Sequence, residues 1–266
     1  MRNICSLDML CASLCDAIGV EAPKCAAGAD ERFMKMIGEA FGEKGVDRIF
    51  MYNPDAVAQW IYEKYASYFD GIKNMGVTEI PYACVMPSVT PVCFATMYTG
   101  AQPEIHGIRT YVKPVLTIDT IFDAMIRAGK KPVIVSTAND SISKIFLERE
   151  MDYFIYPTID EVNDKASELI ESDIYDLIVV YNGNYDSIMH KFGPESPEAL
   201  DALDANTKAY MNFCSLIEKH WKDHNTVEGF AMDHGCHEID GGCGSHGLDM
   251  DEDINIVHLY KMYAGR

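Results

Sequence analysis

The seventeen residues AMDHGCHEIDGGCGSHG (231–247) hold three histidines, two aspartates and two cysteines, in a chain with only eight histidines in all. Imidazole and carboxylate at this density form a borderline ligand set that suits zinc, with manganese or magnesium as alternatives, and needs no thiolate. A second pair stands upstream. Asp186 and His190 are four residues apart, which places both side chains on one face of a helix, as chelation requires. Asp233 and His234 are adjacent and diverge in regular structure, but at the end of a strand both can converge on neighbouring ions. Two cations a few ångströms apart form a clamp for a phosphoryl group, one activating the attacking oxygen and the other stabilising the leaving one.

Elements able to position such residues are legible along the chain. Short apolar runs at 48–52, 80–85, 131–136, 153–157, 175–181, 228–232 and 254–260 have strand length. Helical patterns lie between them at 56–69, 117–129, 158–172 and 196–222. This alternation predicts an α/β fold, a mainly parallel central sheet with helices on both faces. Residues 1–45 read as a helical N-terminal segment, and no repeat or linker divides the 266 residues, so a single domain is expected. In such sheets the binding crevice lies beyond the carboxyl ends of the strands. Those positions hold Asp55, Asp186 with His190, and Asp233 with His234. Thr90 stands at a helix start before Pro91, and His246 follows the glycine-rich loop.

Composition narrows the partners. With 48% hydrophobic residues the chain can bury a large core, and a formal charge of −19 repels phosphate backbones and anionic lipid. No nucleic-acid surface and no membrane association are expected; an anionic substrate must meet local positive charge, for which a metal ion is a natural source. Asp8 and Asp16 interrupt the apolar start, so no signal peptide is read, and nine scattered cysteines fit a reduced, cytoplasmic protein. Oligomeric state is not encoded in any pattern found.

Taken together the motifs resemble the alkaline phosphatase superfamily, and more closely its type I phosphodiesterase and nucleotide pyrophosphatase branch. PSVTPVCFATMYTGAQPEIHGI (87–108) is similar to the nucleophile segment, DSIMHKFGPES (186–196) to the family's Asp-x-x-x-His with Gly-Pro, and DHG (233–235) and SHG (245–247) to its closing motifs. The resemblance implies an alkaline phosphatase-like fold with a minimal cap or none, 101–130 being where a reduced one is expected. It implies Thr90 as nucleophile, passing through a phospho-threonine. Asp55, Asp233 and His234 would hold the ion that binds Thr90; Asp186, His190 and His246 would hold a second ion that activates water. The substrate class is a small phosphate ester, phosphodiester or phosphonate. A phosphomutase or phosphotransferase of the same superfamily and a non-catalytic metal-binding relative are the alternatives. Two departures stand out: Cys93, a poor donor, occupies the place of a phosphate-binding Asn, and YNPDAV precedes Asp55 where an apolar strand usually runs into Asp-Gly.

Each of these residues also has an ordinary structural explanation. Asp55 could cap a helix ahead of AVAQW, Thr90 could cap the helix that Pro91 begins, and Asp186 with His190 could be a surface pair. Asp233, His234 and His246 could be loop residues. His106 is expected to stabilise the turn after the nucleophile helix, His237 to stand behind the ligands or at the surface, and His220, His224 and His258 to be structural. DMDED (249–253) reads as a solvated turn.

Overall fold

A computed structural model describes residues 1–266. Seven strands form one sheet: β1 (Arg48–Pro54), β2 (Thr78–Ala83), β3 (Pro132–Thr137), β4 (Asp152–Tyr156), β5 (Leu177–Asn182), β6 (Thr226–Phe230) and, after a small hairpin, β9 (Asn255–Tyr263). The hairpin is β7 (His237–Ile239) paired antiparallel with β8 (Cys243–Ser245). The sheet order is β2-β9-β6-β1-β5-β3-β4. Its strands run parallel except β9, which is antiparallel to both β6 and β2. Each apolar run expected to be a strand is one.

Period-two alternation assigns the two faces. On β1, Phe50 and Tyr52 pack against Phe213 and Tyr210 of the long helix Pro197–His220. Asn53, pointing the other way, meets Tyr98 of the helix Thr90–Thr99. Helices therefore cover both faces, and the core is one contiguous cluster of 76 buried apolar residues. The helix Ile159–Ser172 starts with a full capping box, Thr158 and Glu161 each serving the other's backbone N–H.

Some expectations need correction. Residues 1–45 are not helical throughout: helices Met9–Ala17 and Glu31–Phe41 flank an irregular run in which Gly19 takes φ 72° and Pro23 lacks an N–H to continue a helix. The segment 56–69 becomes a short helix, Gln59–Lys64, and a 3-10 turn, Ala66–Phe69. The run DMDED is not wholly solvated. Asp253 is fully buried and accepts from His237 Nδ1 at 2.7 Å and from the Leu248 N–H at 2.8 Å, so it pins both limbs of the loop that presents His246. Within 101–130, one helical turn, Pro103–His106, leads into an irregular strap, 107–120, and the helix Ile121–Arg127. No helix is long and apolar enough to cross a membrane.

Candidate metal centre

Three central strands lie side by side in the order β6-β1-β5. Neighbouring strands are ~4.8 Å apart, so residues leaving their carboxyl ends emerge within ~10 Å of one another. Asp55 follows β1 directly, Asp233 and His234 follow β6 by two residues, and β5 feeds the helix Asn184–Phe192 with Asp186 and His190 one turn apart. The hairpin β7–β8 folds back so that His246 comes to the same edge. Thr90 is the first residue of its helix, behind Val89 as N-cap, with Pro91 fixing the first turn.

Two clusters result: Asp55, Asp233 and His234, all buried, and Asp186, His190 and His246. Within each, one ligand atom per residue lies within 4.8 Å of the others. In the first, His234 Nε2 is 3.3 Å from Asp55 Oδ1 and 3.3 Å from Asp233 Oδ2. In the second, Asp186 Oδ1 is 3.2 Å from His190 Nε2 and 3.3 Å from His246 Nε2. The clusters adjoin, since the rings of His234 and His246 are 4.1 Å apart, centroid to centroid. Thr90 Oγ1 sits on the first, 3.3 Å from Asp55 Oδ2 and 3.2 Å from His234 Nε2.

Backbone carbonyls set the tautomers. His234 Nδ1 faces Gly235 O at 2.9 Å, His190 Nδ1 faces Gly244 O at 2.9 Å, and His246 Nδ1 faces Ser88 O at 3.0 Å. A carbonyl only accepts, so each Nδ1 carries the hydrogen and each Nε2 presents a lone pair to the cradle. Asp55 Oδ1, Asp186 Oδ1 and Asp233 Oδ2 are buried without a donor. Three bare imidazole nitrogens and three unpartnered carboxylate oxygens aimed at each other repel, and a cation in each cluster relieves that repulsion. The residues therefore fit two divalent cations, one that Asp55, Asp233 and His234 would hold beside Thr90, the other that Asp186, His190 and His246 would hold.

The electrostatics show that repulsion in the first cluster, whereas in the second Asp186 favours a proton on His190, which a bound cation would have to displace. Burial pushes the Asp55 carboxyl up to about 8, aided by the charge of Asp186 and opposed by the Tyr181 hydroxyl. Burial and Asp55 push Asp233 well above the carboxylate range, while burial and His246 push His234 well below its ordinary value. Burial would also raise Asp186, but His190 and His246 outweigh it and hold that group below the usual range. Asp186 in turn lifts His190 to about 9.

Other assignments sort cleanly. Asp55 is no helix cap: it is 1% exposed, and the following helix has Ala58 as N-cap. Cys93 is fully buried, its thiol toward Val85 O at 4.0 Å, and offers a phosphoryl group no donor. His106 bonds Thr96 Oγ1 at 3.1 Å and accepts from the Ile108 N–H, fastening the turn after the Thr90 helix. His237 is tied to Asp253 and belongs to neither cluster. His258, taken from sequence as merely structural, supports Met232 O at 2.7 Å, immediately before Asp233. Tyr181 also escaped the sequence reading: its hydroxyl donates to Asp55 Oδ2. An aromatic residue within the apolar run of β5 gives no signal of that contact.

No family model and no curated protein sequence matches the chain. Solved structures do. Human ectonucleotide pyrophosphatase/phosphodiesterase 5 aligns with a TM-score of 0.62 at 14% identity, over 81% of this chain and 87% of that one. The murine protein gives 0.58 at 17%, over 73% of this chain and 58% of its own length. An inactive form of the murine protein is in complex with AMP. The C-terminal periplasmic domain of the phosphoethanolamine transferase EptC from Campylobacter jejuni gives 0.58 at 15%, over 82% and 80%. This chain therefore spans 58% of the murine phosphodiesterase structure. These are likenesses of shape between distant sequences, and what they establish is that the chain has the alkaline phosphatase-like fold.

Proposed function

We propose that the protein is a metal-dependent hydrolase of small phosphate esters, phosphodiesters or phosphonates that works through a phospho-threonine at Thr90. The observation that supports this most is the position of the Thr90 hydroxyl, at the start of a ten-residue helix and within 3.3 Å of two groups of one cluster. The helix N-terminus directs its dipole and free N–H groups at an incoming oxyanion. Thr90 Oγ1 forms the bond to phosphorus as the leaving-group oxygen departs; water then displaces Thr90 and restores its hydroxyl. Two divalent cations, zinc first and manganese or magnesium as alternatives, supply Lewis acidity to the hydroxyl, the water and the phosphoryl oxygens when bound. Asp55, Asp233 and His234 orient one side of the site, and Asp186, His190 and His246 orient the other. The AMP complex of the murine neighbour makes a nucleotide phosphate a natural first compound to test.

Thr90→Ala should keep two bound cations per chain while turnover of an aryl phosphodiester falls by at least about a thousandfold. Metal analysis together with steady-state rates checks this, and full activity in the variant would remove Thr90 as nucleophile. The likeness to a transferase domain supports a second reading, in which the phosphoryl group passes from Thr90 to an alcohol. Product analysis with and without an acceptor alcohol separates the two. Two bound cations with no turnover of any mono- or diester would instead favour a non-catalytic metal-binding protein.

A further inference from the structure

Outside the two clusters, a recess opens between the start of β7 and the turn at 250–252. Trp60, His237, Glu238, Met250 and Glu252 line about 380 Å³, within the roughly 300–1,000 Å³ of small-molecule pockets. His237 is 9% exposed, and its Nδ1 meets Asp253 Oδ1 at 2.7 Å. The carboxylate accepts, so Nδ1 carries the hydrogen, and Nε2 presents a lone pair that bonds nothing in the chain. The imidazole is firmly seated. Asp253 Oδ2 accepts from the Leu248 N–H at 2.8 Å, and the Asp253 carbonyl accepts from the Gly235 N–H at 2.7 Å. Trp60 Nε1 donates to Cys236 O at 2.7 Å, which fixes the indole and leaves it no N–H to offer. Glu238 and Glu252 are exposed, and neither carboxylate is paired within the chain. Lysine and arginine are absent from the lining; the nearby Lys64 ammonium, 5.9 Å from the Trp60 ring centroid, is bound to Glu195. The recess thus holds a buried lone pair, two free carboxylates and an aromatic ring, with no side-chain donor to oppose them. An occupant must bring positive charge and N–H groups. His237, Glu238 and Glu252 do not gather their ligand atoms as the two metal clusters do, which favours something larger than a bare ion.

We propose that this recess is a second ligand site, which binds a primary alkylammonium. The ammonium donates one N–H to His237 Nε2 and pairs with the carboxylates of Glu238 and Glu252, while the Trp60 ring and Met250 cover its alkyl part and the ring face adds cation–π attraction. The site is independent of the hydrolase reading, since none of its five residues belongs to either cluster.

The test uses the full chain at about pH 7.5, where an alkylamine is charged, with n-butylamine as the probe and tryptophan fluorescence as the readout. Trp221, the other tryptophan, is fully buried, so a change on titration reports Trp60. Butylamine should bind saturably. Tetramethylammonium keeps the charge but has no N–H for His237, and should bind at least about tenfold more weakly. Glu238→Gln and Glu252→Gln should each weaken butylamine by about tenfold, the loss of a hydrogen bond to a charged group. Both glutamates are exposed, so the melting temperature should match the parent and a loss of binding is not a loss of fold. Nα-acetyl-lysine methylamide forms a second arm: binding extends the ligand to a lysine side chain, and failure confines it to free amines. No saturable binding of butylamine by the parent overturns the site. Equal affinities for butylamine and tetramethylammonium, or two glutamine variants unchanged within about twofold, overturn it as well. Zinc that displaces butylamine from the parent, and is itself lost in Glu252→Gln, overturns the amine in favour of a metal ion. None of these readouts uses turnover, so a chain inert toward phosphodiesters would defeat the hydrolase reading and leave this site standing.

Discussion

Tyr181 decides which oxygen of Asp55 faces the cradle. Its hydroxyl occupies Oδ2, alongside Thr90, and leaves Oδ1 bare toward His234. The fit is tight: a Cβ on Gly183 would stand 2.7 Å from that hydroxyl, so glycine is needed there for the contact to form. Tyr181→Phe keeps the ring against Phe94 and removes only the donor. Loss of a group that orients a metal ligand costs about 10- to 100-fold in affinity or activity. Chelator competition should therefore show one of the two zinc ions weakened by that factor in the variant, with the other unchanged. Equal affinities in variant and parent would reduce Tyr181 to a packing residue. Residue types and spacing made Asp186 with His190 and Asp233 with His234 visible in the sequence as candidates, because carboxylate and imidazole pairs are chemically distinctive. Tyr181, His258 and Asp253 were not visible, because a side chain that acts through another residue has no signature apart from the partner it meets in space.

The strands were legible as elements, since buried parallel strands are short apolar runs between helices and each run expected is present. Their order was not. β6, β1 and β5 are far apart in sequence, and local periodicity has nothing to say about which strands become neighbours. Helices whose stability depends on packing were overread, as at 56–69, where propensity suggested a longer helix than the tertiary contacts keep. The hairpin β7–β8 is a different case: its glycines read as a loop, and only the fold reveals that it leans on the helix Asn184–Phe192. That contact is close. Gly244 O accepts from His190 Nδ1, and a Cβ on Gly244 would lie 2.5 Å from Met189 Sδ and 2.7 Å from Met189 O. Gly244→Ala must push the hairpin off the helix, taking His246 from His190, at an overpacking cost of about 1–3 kcal/mol. Metal analysis should find close to one ion per chain instead of two, the cluster of Asp55, Asp233 and His234 remaining loaded. Retention of two ions at parental affinity would mean that the hairpin does not set the second cluster.

At the scale of the whole molecule, the formal charge of −19 makes every buried carboxylate costly unless something offsets it. At the sheet edge the two Asp/His clusters could hold metal ions that would supply that offset. Glu228 has no such help. It sits on β6 opposite Lys261 of β9, fully buried, with neither carboxylate oxygen hydrogen-bonded. Lys261 Nζ is 3.8 Å from Oε2 but bonded to Glu218, and Cys214 and the Tyr210 ring complete the surroundings. Burial pushes Glu228 up to about 7, Lys261 pulling it back and Glu218 adding to the rise. The sign follows. Between about pH 4.5 and 7 the folded chain holds a proton that the unfolded chain has released, so stability falls as pH rises through that window and levels off above it. Glu228→Gln removes the ionisable group and with it this loss. The variant should exceed the parent by up to about 3 kcal/mol at pH 8, with the gap closing toward pH 4.5. Denaturant midpoints at pH 4.5, 6 and 8 measure it directly. A gap that is constant with pH would place the effect in packing, whereas one that opens between pH 4.5 and 7 identifies Glu228 as a buried acid that this fold tolerates at neutral pH without a cation of its own.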